Sequence, residues 1–305
     1  MRHFLLCASG AALAFAPLSA SAQESVEQPL SAEAQAVIDS GGGLNPTREW
    51  RITPRESGCT ASQIFASGEQ RVTLVMRRLQ PFQDVQFAVI GSAFSHEDAM
   101  AAGFVPAGTL LDIPQRNPAS IGAREGFAFA RQPFREGPAM AEVESHWGSR
   151  TRHFVVQGED NASLVLNTGP IGDVFDQFND CTLQQLREYG VDWAARGRFQ
   201  RHPSITNIRE VTRDLGRRFG RERDSIFARG PVTVRMIVDG NGNATRCDLV
   251  TQMARRDIEA VTCDVLMEDA EFEVALDAEG NPVTDFLVQQ IVFIAVVPPN
   301  ADGSL

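Results

Sequence analysis

At 305 residues the chain exceeds one ordinary compact domain, and 43% hydrophobic with 22% charged residues is the composition of a folded protein. The 28 basic and 39 acidic residues leave a net charge of −11, which argues against nucleic acid as a partner. Every one of the 28 basic residues is arginine, so Schiff-base, P-loop and Ser-Lys chemistries are excluded for want of a lysine.

Taken in chain order, Arg2 and His3 precede the apolar run Phe4 to Leu18, and Ala20-Ser21-Ala22 follows. That pattern predicts a signal peptide, residues 1–22, cleaved after Ala22 to release an exported, periplasmic protein. An uncleaved anchor is disfavoured because the run is short and interrupted by Pro17. A lipoprotein would use Cys7, which lies too early and follows Leu5-Leu6. No other stretch is apolar for long enough to span a bilayer, so no integral membrane segment is expected after cleavage.

Residues 23–48 read as a flexible lead-in with one helical patch, Ala32 to Ile38. From residue 49 to 195 short apolar runs alternate with turn residues. Arg71 to Leu79, Val85 to Ile90, Thr109 to Ile113, Thr151 to Gln157 and Ser163 to Leu166 are candidate strands of an antiparallel, β-rich domain. A helix closes it: Ile171, Val174, Phe175, Phe178, Leu183 and Leu186 recur near 3.6-residue spacing, and Gly190 stops the run.

Residues 196–229 hold ten arginines and four acids, a local charge of +6. The blander reading is a linker helix with Ile208, Val211, Leu215 and Phe219 as its apolar stripe and arginines pairing with the acidic domains. The functional reading is a surface for an anionic partner. Residues 230–296 then alternate as Val232 to Val238, turn at Asp239 to Asn243, return over Ala244 to Val250, form a helix from Arg256 to Ala270, and end in a long strand, Val283 to Ala295. Residues 297–305 form a tail. The fold class expected is α+β: a β-rich domain with a terminal helix, and a small β-β-α-β unit.

Cys59, Cys181, Cys247 and Cys263 remain once the signal peptide is removed, an even number suited to disulfides in an oxidising compartment. Four cysteines admit three pairings. A strand and the helix packed on it bring β-carbons into bridging range, so Cys59–Cys181 and Cys247–Cys263 are expected, each within one domain.

The string Val234-Arg-Met-Ile-Val-Asp-Gly-Asn-Gly, the pair Cys247 and Cys263, and then Phe272-Glu-Val-Ala275, Asp277 and Gly280-Asn-Pro-Val283 carry a resemblance. They resemble the C-terminal domain of TonB-type energy transducers, in its cysteine-containing exported variant. The upstream residues Trp50, Gly58-Cys59, Asp180-Cys181 and Tyr189-Gly190-Val-Asp192 look like the uncharacterised domain that often precedes it there. The resemblance implies a non-enzymatic binding module that adds a partner strand to an exposed sheet edge. Its partner would be a cell-envelope protein such as an outer-membrane transporter, making the chain an accessory to TonB-dependent transport. A cleaved signal and few prolines before Cys59 speak for recognition without energy transduction. The candidate edge is the last strand, with Phe286, Val288, Gln290 and Val292 on one face and Leu287, Gln289, Ile291 and Phe293 on the other. The competing arrangement is a strand held inside the sheet or capped by a dimer mate.

A periplasmic hydrolase is the alternative from another class. It would have to gather His146 or His153 with Glu142 and Glu144, because the chain lacks HExxH, G-x-S-x-G and a glycine-rich phosphate loop. No catalytic, cofactor or metal residue is assigned on this evidence.

Overall fold

The structure, a computed structural model, describes residues 27–81, 84–91, 94, 97–106, 110–113, 116–134, 141–159, 162–220, 232–250 and 256–291. The expected signal peptide, the tail, Val292, Phe293 and residues 221–229 of the arginine tract lie outside the described residues. The fold is mixed α+β, and its sheets are antiparallel.

Two sheets build the N-terminal part. One contains β2 (Asn45–Pro46), β3 (Arg51–Pro54), β4 (Cys59–Ser67), β5 (Gln70–Arg78), β6 (Val85–Ile90), β9 (Asn117–Ile121) and β10 (Arg124–Arg131), in the order β2-β4-β5-β6-β10-β9 with β3 also on β4. The other runs β1-β8-β7-β11-β12, from β1 (Glu27–Gln28), β7 (Ala99–Val105), β8 (Leu110–Asp112), β11 (His153–Gly158) and β12 (Ser163–Leu166). Alternation explains the packing. On β4 the inward set is Cys59, Ala61, Gln63 and Phe65, while every residue of the central strand β6 is buried. The two sheets meet across a phenylalanine-rich core in which Phe87 lies 5.2 Å from Phe129 and 5.6 Å from Phe154.

Helix α1 (Ala32–Asp39) starts where the Ser31 hydroxyl accepts the Ala34 N–H at 3.1 Å, and its Ala34 joins Ala101, Val155 and Val165 on the outer face of the second sheet. Helices α2 (Ala141–Arg150) and α3 (Gly172–Glu188) pack together. The inward stripe of α3, including Val174, Phe175 and Phe178, enters the phenylalanine core. Cys59 and Cys181 are joined, with Cα atoms 6.2 Å apart, so α3 is stapled to β4.

The C-terminal part is a three-stranded sheet, β15-β14-β19, of β14 (Val232–Val238), β15 (Ala244–Leu249) and β19 (Asp285–Ile291). Helix α5 (Ile208–Phe219) and helix α6 (Arg256–Asp269) cover one face, where Val211, Leu215, Phe219, Val265 and Leu266 meet Val234, Met236, Leu287 and Ile291. Cys247 of β15 is bonded to Cys263 of α6. Two short ladders complete the unit: β13 (Ser204–Ile205) with β16 (Phe272–Glu273), and β17 (Ala275–Leu276) with β18 (Pro282–Val283).

In residues 196–220, the described part of the tract expected as a linker, α5 forms with the apolar stripe expected of it. The apolar stripe of α5 is part of the second core, because three buried side chains at helical spacing find their cover in the C-terminal sheet. Arg196 pairs with Asp285, Arg201 with Glu273, Arg217 with Asp214 and Arg218 with Glu268. Four of the seven described arginines of the tract are paired in this way.

Candidate functional site: the edge of the last strand

The reverse face of the C-terminal sheet is turned toward the N-terminal part. Ile237 and Phe286 pack with Leu186, Val191, Tyr189 and Trp193 at the end of α3 and just beyond it. Beside them Arg235, fully buried, donates to Asp248 directly across the β14–β15 hairpin and to the backbone carbonyl of Leu79. Arg246 also donates to Asp248, at 2.8 and 2.9 Å, and to the carbonyl of Glu56, and its guanidinium lies 4.8 Å from the Tyr189 ring centroid. The Tyr189 hydroxyl donates to the same Glu56 carbonyl at 3.0 Å. A buried charge needs a counter-charge, and Asp248 supplies it to Arg235 where the two parts of the chain meet.

Strand β19 lies at one end of the β15-β14-β19 order, so among the described residues it is a sheet edge. Its outward positions follow from the ladder. The Thr233 carbonyl accepts the Val250 N–H at 2.7 Å, so Thr233, Arg235 and Ile237 turn their backbone groups toward β15. Val234 and Met236 therefore face β19, and their register partners Gln289 and Leu287 are the hydrogen-bonded positions. Phe286, Val288 and Gln290, opposite Ile237, Arg235 and Thr233, point their N–H and C=O groups away from the sheet.

These three outward positions are not equivalent. Phe286 is only 3% exposed, whereas Val288 is 38% exposed and Gln290 is also exposed. The helical turn α4 (Trp193–Arg196) covers Phe286: the Trp193 ring stacks on the Phe286 ring at 6.1 Å and 5°. Arg196 lies 4.2 Å over the same ring and donates to the Phe286 carbonyl at 3.2 Å. Asp285, with no exposed surface, holds Arg196 by its Nε at 2.7 Å and is also 2.9 Å from His202 Nδ1. Phe286 was expected to belong to the accessible edge; the chain's own Trp193 and Arg196 withdraw it. The Gln290 carbonyl accepts the Gln289 side-chain amide at 2.7 Å.

Of the residues named for a hydrolase, the side chain of Glu142 lies outside the described residues, and Glu144, His146 and His153 stand apart from one another. Glu144 is buried in a bidentate pair with Arg78, at 2.6 and 2.8 Å, and Asn179 donates to it at 2.8 Å. His146 is exposed on α2 beside Trp147, and His153 Nδ1 sits 3.0 Å from Asn167 Oδ1. Among the described residues no group of three or more His, Cys, Asp or Glu side chains is placed to hold a metal ion. A cleft of about 340 Å³ lies beside the start of β19, lined by Asp192, Arg198, Phe199, Asp277, Glu279 and Thr284 among others. No helix among the described residues is long and apolar enough to cross a membrane.

Two exposed turns have the same construction. Asp239 Oδ1 accepts the N–H groups of Asn241 and Asn243 at 2.9 and 2.8 Å, and Asp277 Oδ1 accepts those of Glu279 and Asn281 at 3.0 and 2.8 Å. Gly242 and Gly280 occupy the left-handed position of each turn, at φ +87° and +86°. Backbone and side-chain donation from Asn243 lowers the Asp239 pKa below its ordinary value, and donation from Asn281 does the same for Asp277.

Sequence reasoning did not single out Arg235, Asp248 or Trp193, and took Arg196 only as one arginine of the tract. For the first two a signal was present: once the turn at Asp239 to Asn243 sets the hairpin, Arg235 and Asp248 fall opposite each other. Comparison with protein-family models, with curated proteins and with solved structures returns no match.

Proposed function

We propose that this is a non-enzymatic protein of the periplasm whose TonB-like C-terminal unit binds an extended segment of a cell-envelope protein by strand addition at β19. The observation that carries the reading is the edge itself: Val288 and Gln290 turn backbone donors and acceptors outward from an exposed strand. Such groups are a template for one more strand, with backbone bonds supplying affinity and alternate side chains supplying selectivity. The two disulfides fit an oxidising compartment.

Proline substitution separates the two kinds of position. Gln290→Pro removes an outward N–H and should leave the unit folded while abolishing capture of its envelope partner. Gln289→Pro removes a donor to β14 and should unfold the C-terminal unit. Gln290→Ala keeps the backbone donor and should bind nearly as the parent does. Folded Gln290→Pro protein that captured the same partner at full yield would refute strand addition at this edge.

A further inference from the structure

We infer that Arg196 is an edge guard: with Trp193 it closes the first outward position of β19 and so limits where a second strand can pair. The inference rests on reading β19 as the recognising edge. Outward backbone groups recur every second residue, so an open edge from Phe286 to Gln290 would offer three successive sites and registers differing by two residues. The first is occupied. The guanidinium of Arg196 fills the Phe286 carbonyl at 3.2 Å, and the ring stack with Trp193 leaves Phe286 almost wholly buried. Asp285 anchors that guanidinium through its Nε at 2.7 Å, so the plug is held by a buried carboxylate and does not swing free. A planar fork is needed to reach both the carboxylate and the carbonyl, which is a property of arginine.

The consequence is a stop. A strand arriving along β19 pairs with Val288 and Gln290 and must end or turn aside before Phe286. The guard also shortens the edge available to a second copy of this chain, the ordinary hazard of an exposed strand.

The test uses the full, oxidised chain and reads self-association and amide exchange. Arg196→Lys keeps a cation for Asp285 but cannot fill both positions, and Arg196→Ala removes both contacts while leaving Asp285 with His202. In either variant the Phe286 carbonyl loses its donor, while the β14-bonded Leu287 and Gln289 amides should stay protected from exchange, which shows that the strand itself is intact. Sedimentation velocity should show the self-association constant raised by roughly tenfold or more, from the added backbone bonds of one more outward residue. Adding Gln290→Pro to either variant should return association to the parental level, which a general loss of stability would not do. If Arg196→Ala fails to fold, Arg196→Lys decides. Unchanged association with a folded variant, or association that survives Gln290→Pro, overturns the guard. Should Gln290→Pro in the parent leave partner capture intact while Arg196→Lys still self-associates through β19, the guard stands and the recognition reading falls.

Discussion

Replacing Glu144 by glutamine removes one charge and almost no volume from the N-terminal core. Arg78 and Glu144 are 1% and 2% exposed, face each other with two hydrogen bonds, and share Asn179, which accepts from Arg78 at 2.6 Å and donates to Glu144 at 2.8 Å. Phe175 and Phe178 flank the guanidinium at 5.9 and 5.6 Å. Taking the bidentate carboxylate away from a buried guanidinium costs about 3–5 kcal/mol, because the low-dielectric surroundings do not replace it with water. For a unit of this size that corresponds to a fall in melting temperature on the order of 10 °C. Thermal and urea unfolding of the oxidised protein, followed by near-ultraviolet circular dichroism, measures it. The apolar triple replacement Arg78→Met, Glu144→Leu and Asn179→Leu should be neutral or up to about 4 kcal/mol more stable than the parent, since it also removes the desolvation cost. A loss below about 1 kcal/mol for Glu144→Gln, the range of a solvated surface pair, would refute the burial argument. The same variant separates a structural Glu144 from a catalytic one: below its melting temperature it should bind its partner as the parent does.

Replacing Cys59 and Cys181 by serine opens a loop with a sequence separation of 122, and the chain-entropy model puts the loss at about 4–5 kcal/mol. Cys247 and Cys263 are 16 residues apart, so their loss should cost less, about 3 kcal/mol by the same model; equal losses in urea titrations of the two variants would contradict it. Asp239 and Asp277 have folded pKa values below the ordinary 3.8, so their contribution is complete above that value and disappears as pH falls through the lower folded values. Asn281→Ala, which removes the side-chain donor that lowers Asp277 most, should therefore flatten the acid limb of the stability–pH curve below about pH 4, and Asn243→Ala should do so less, because the main donor to Asp239 is the Asn243 backbone N–H that alanine keeps. Acid titrations with parental steepness in both variants would dismiss that account. Asp248→Asn, which weakens the anchorage of buried Arg235 and of Arg246, should make the amides of residues 235–237 and 246–249 exchange faster by hydrogen-exchange mass spectrometry; unchanged exchange would show that the apolar contacts of Ile237 and Phe286 suffice.

Much of the fold was legible because it is local. Period-two alternation marks β5 and β14, the 3.6-residue stripe marks α3, and Asp-Gly-Asn-Gly-Asn marks the turn between β14 and β15. Each signal arises within about a dozen residues, where steric and hydrogen-bonding preferences act without help from the rest of the chain. The pairing of Cys247 with Cys263 belongs to the same class, as a strand followed by the helix that packs on it. The distinction between the two sets Phe286, Val288, Gln290 and Leu287, Gln289, Ile291 was likewise present in the residues alone, because successive side chains of a strand must point to opposite faces.

What covers each face could not be read in that way. Alternation separates the two sides of β14 but leaves Arg235 looking like a solvent-facing residue between Val234 and Met236. It is buried because Leu79 and Tyr189, distant in sequence, close over it, and because Asp248 supplies its counter-charge. The arginine tract has the composition of a solvated connector, yet Val211, Leu215 and Phe219 are drawn into a core whose other wall is a sheet that begins later in the chain. Phe286 and Val288 sit on the same face of one strand, and the sequence by itself treats them alike. Trp193 and Arg196, about ninety residues upstream, divide them, leaving one buried and one open. Burial depends on which surfaces meet, and that is decided by the summed free energy of packing the whole chain, not by the periodicity of any one segment.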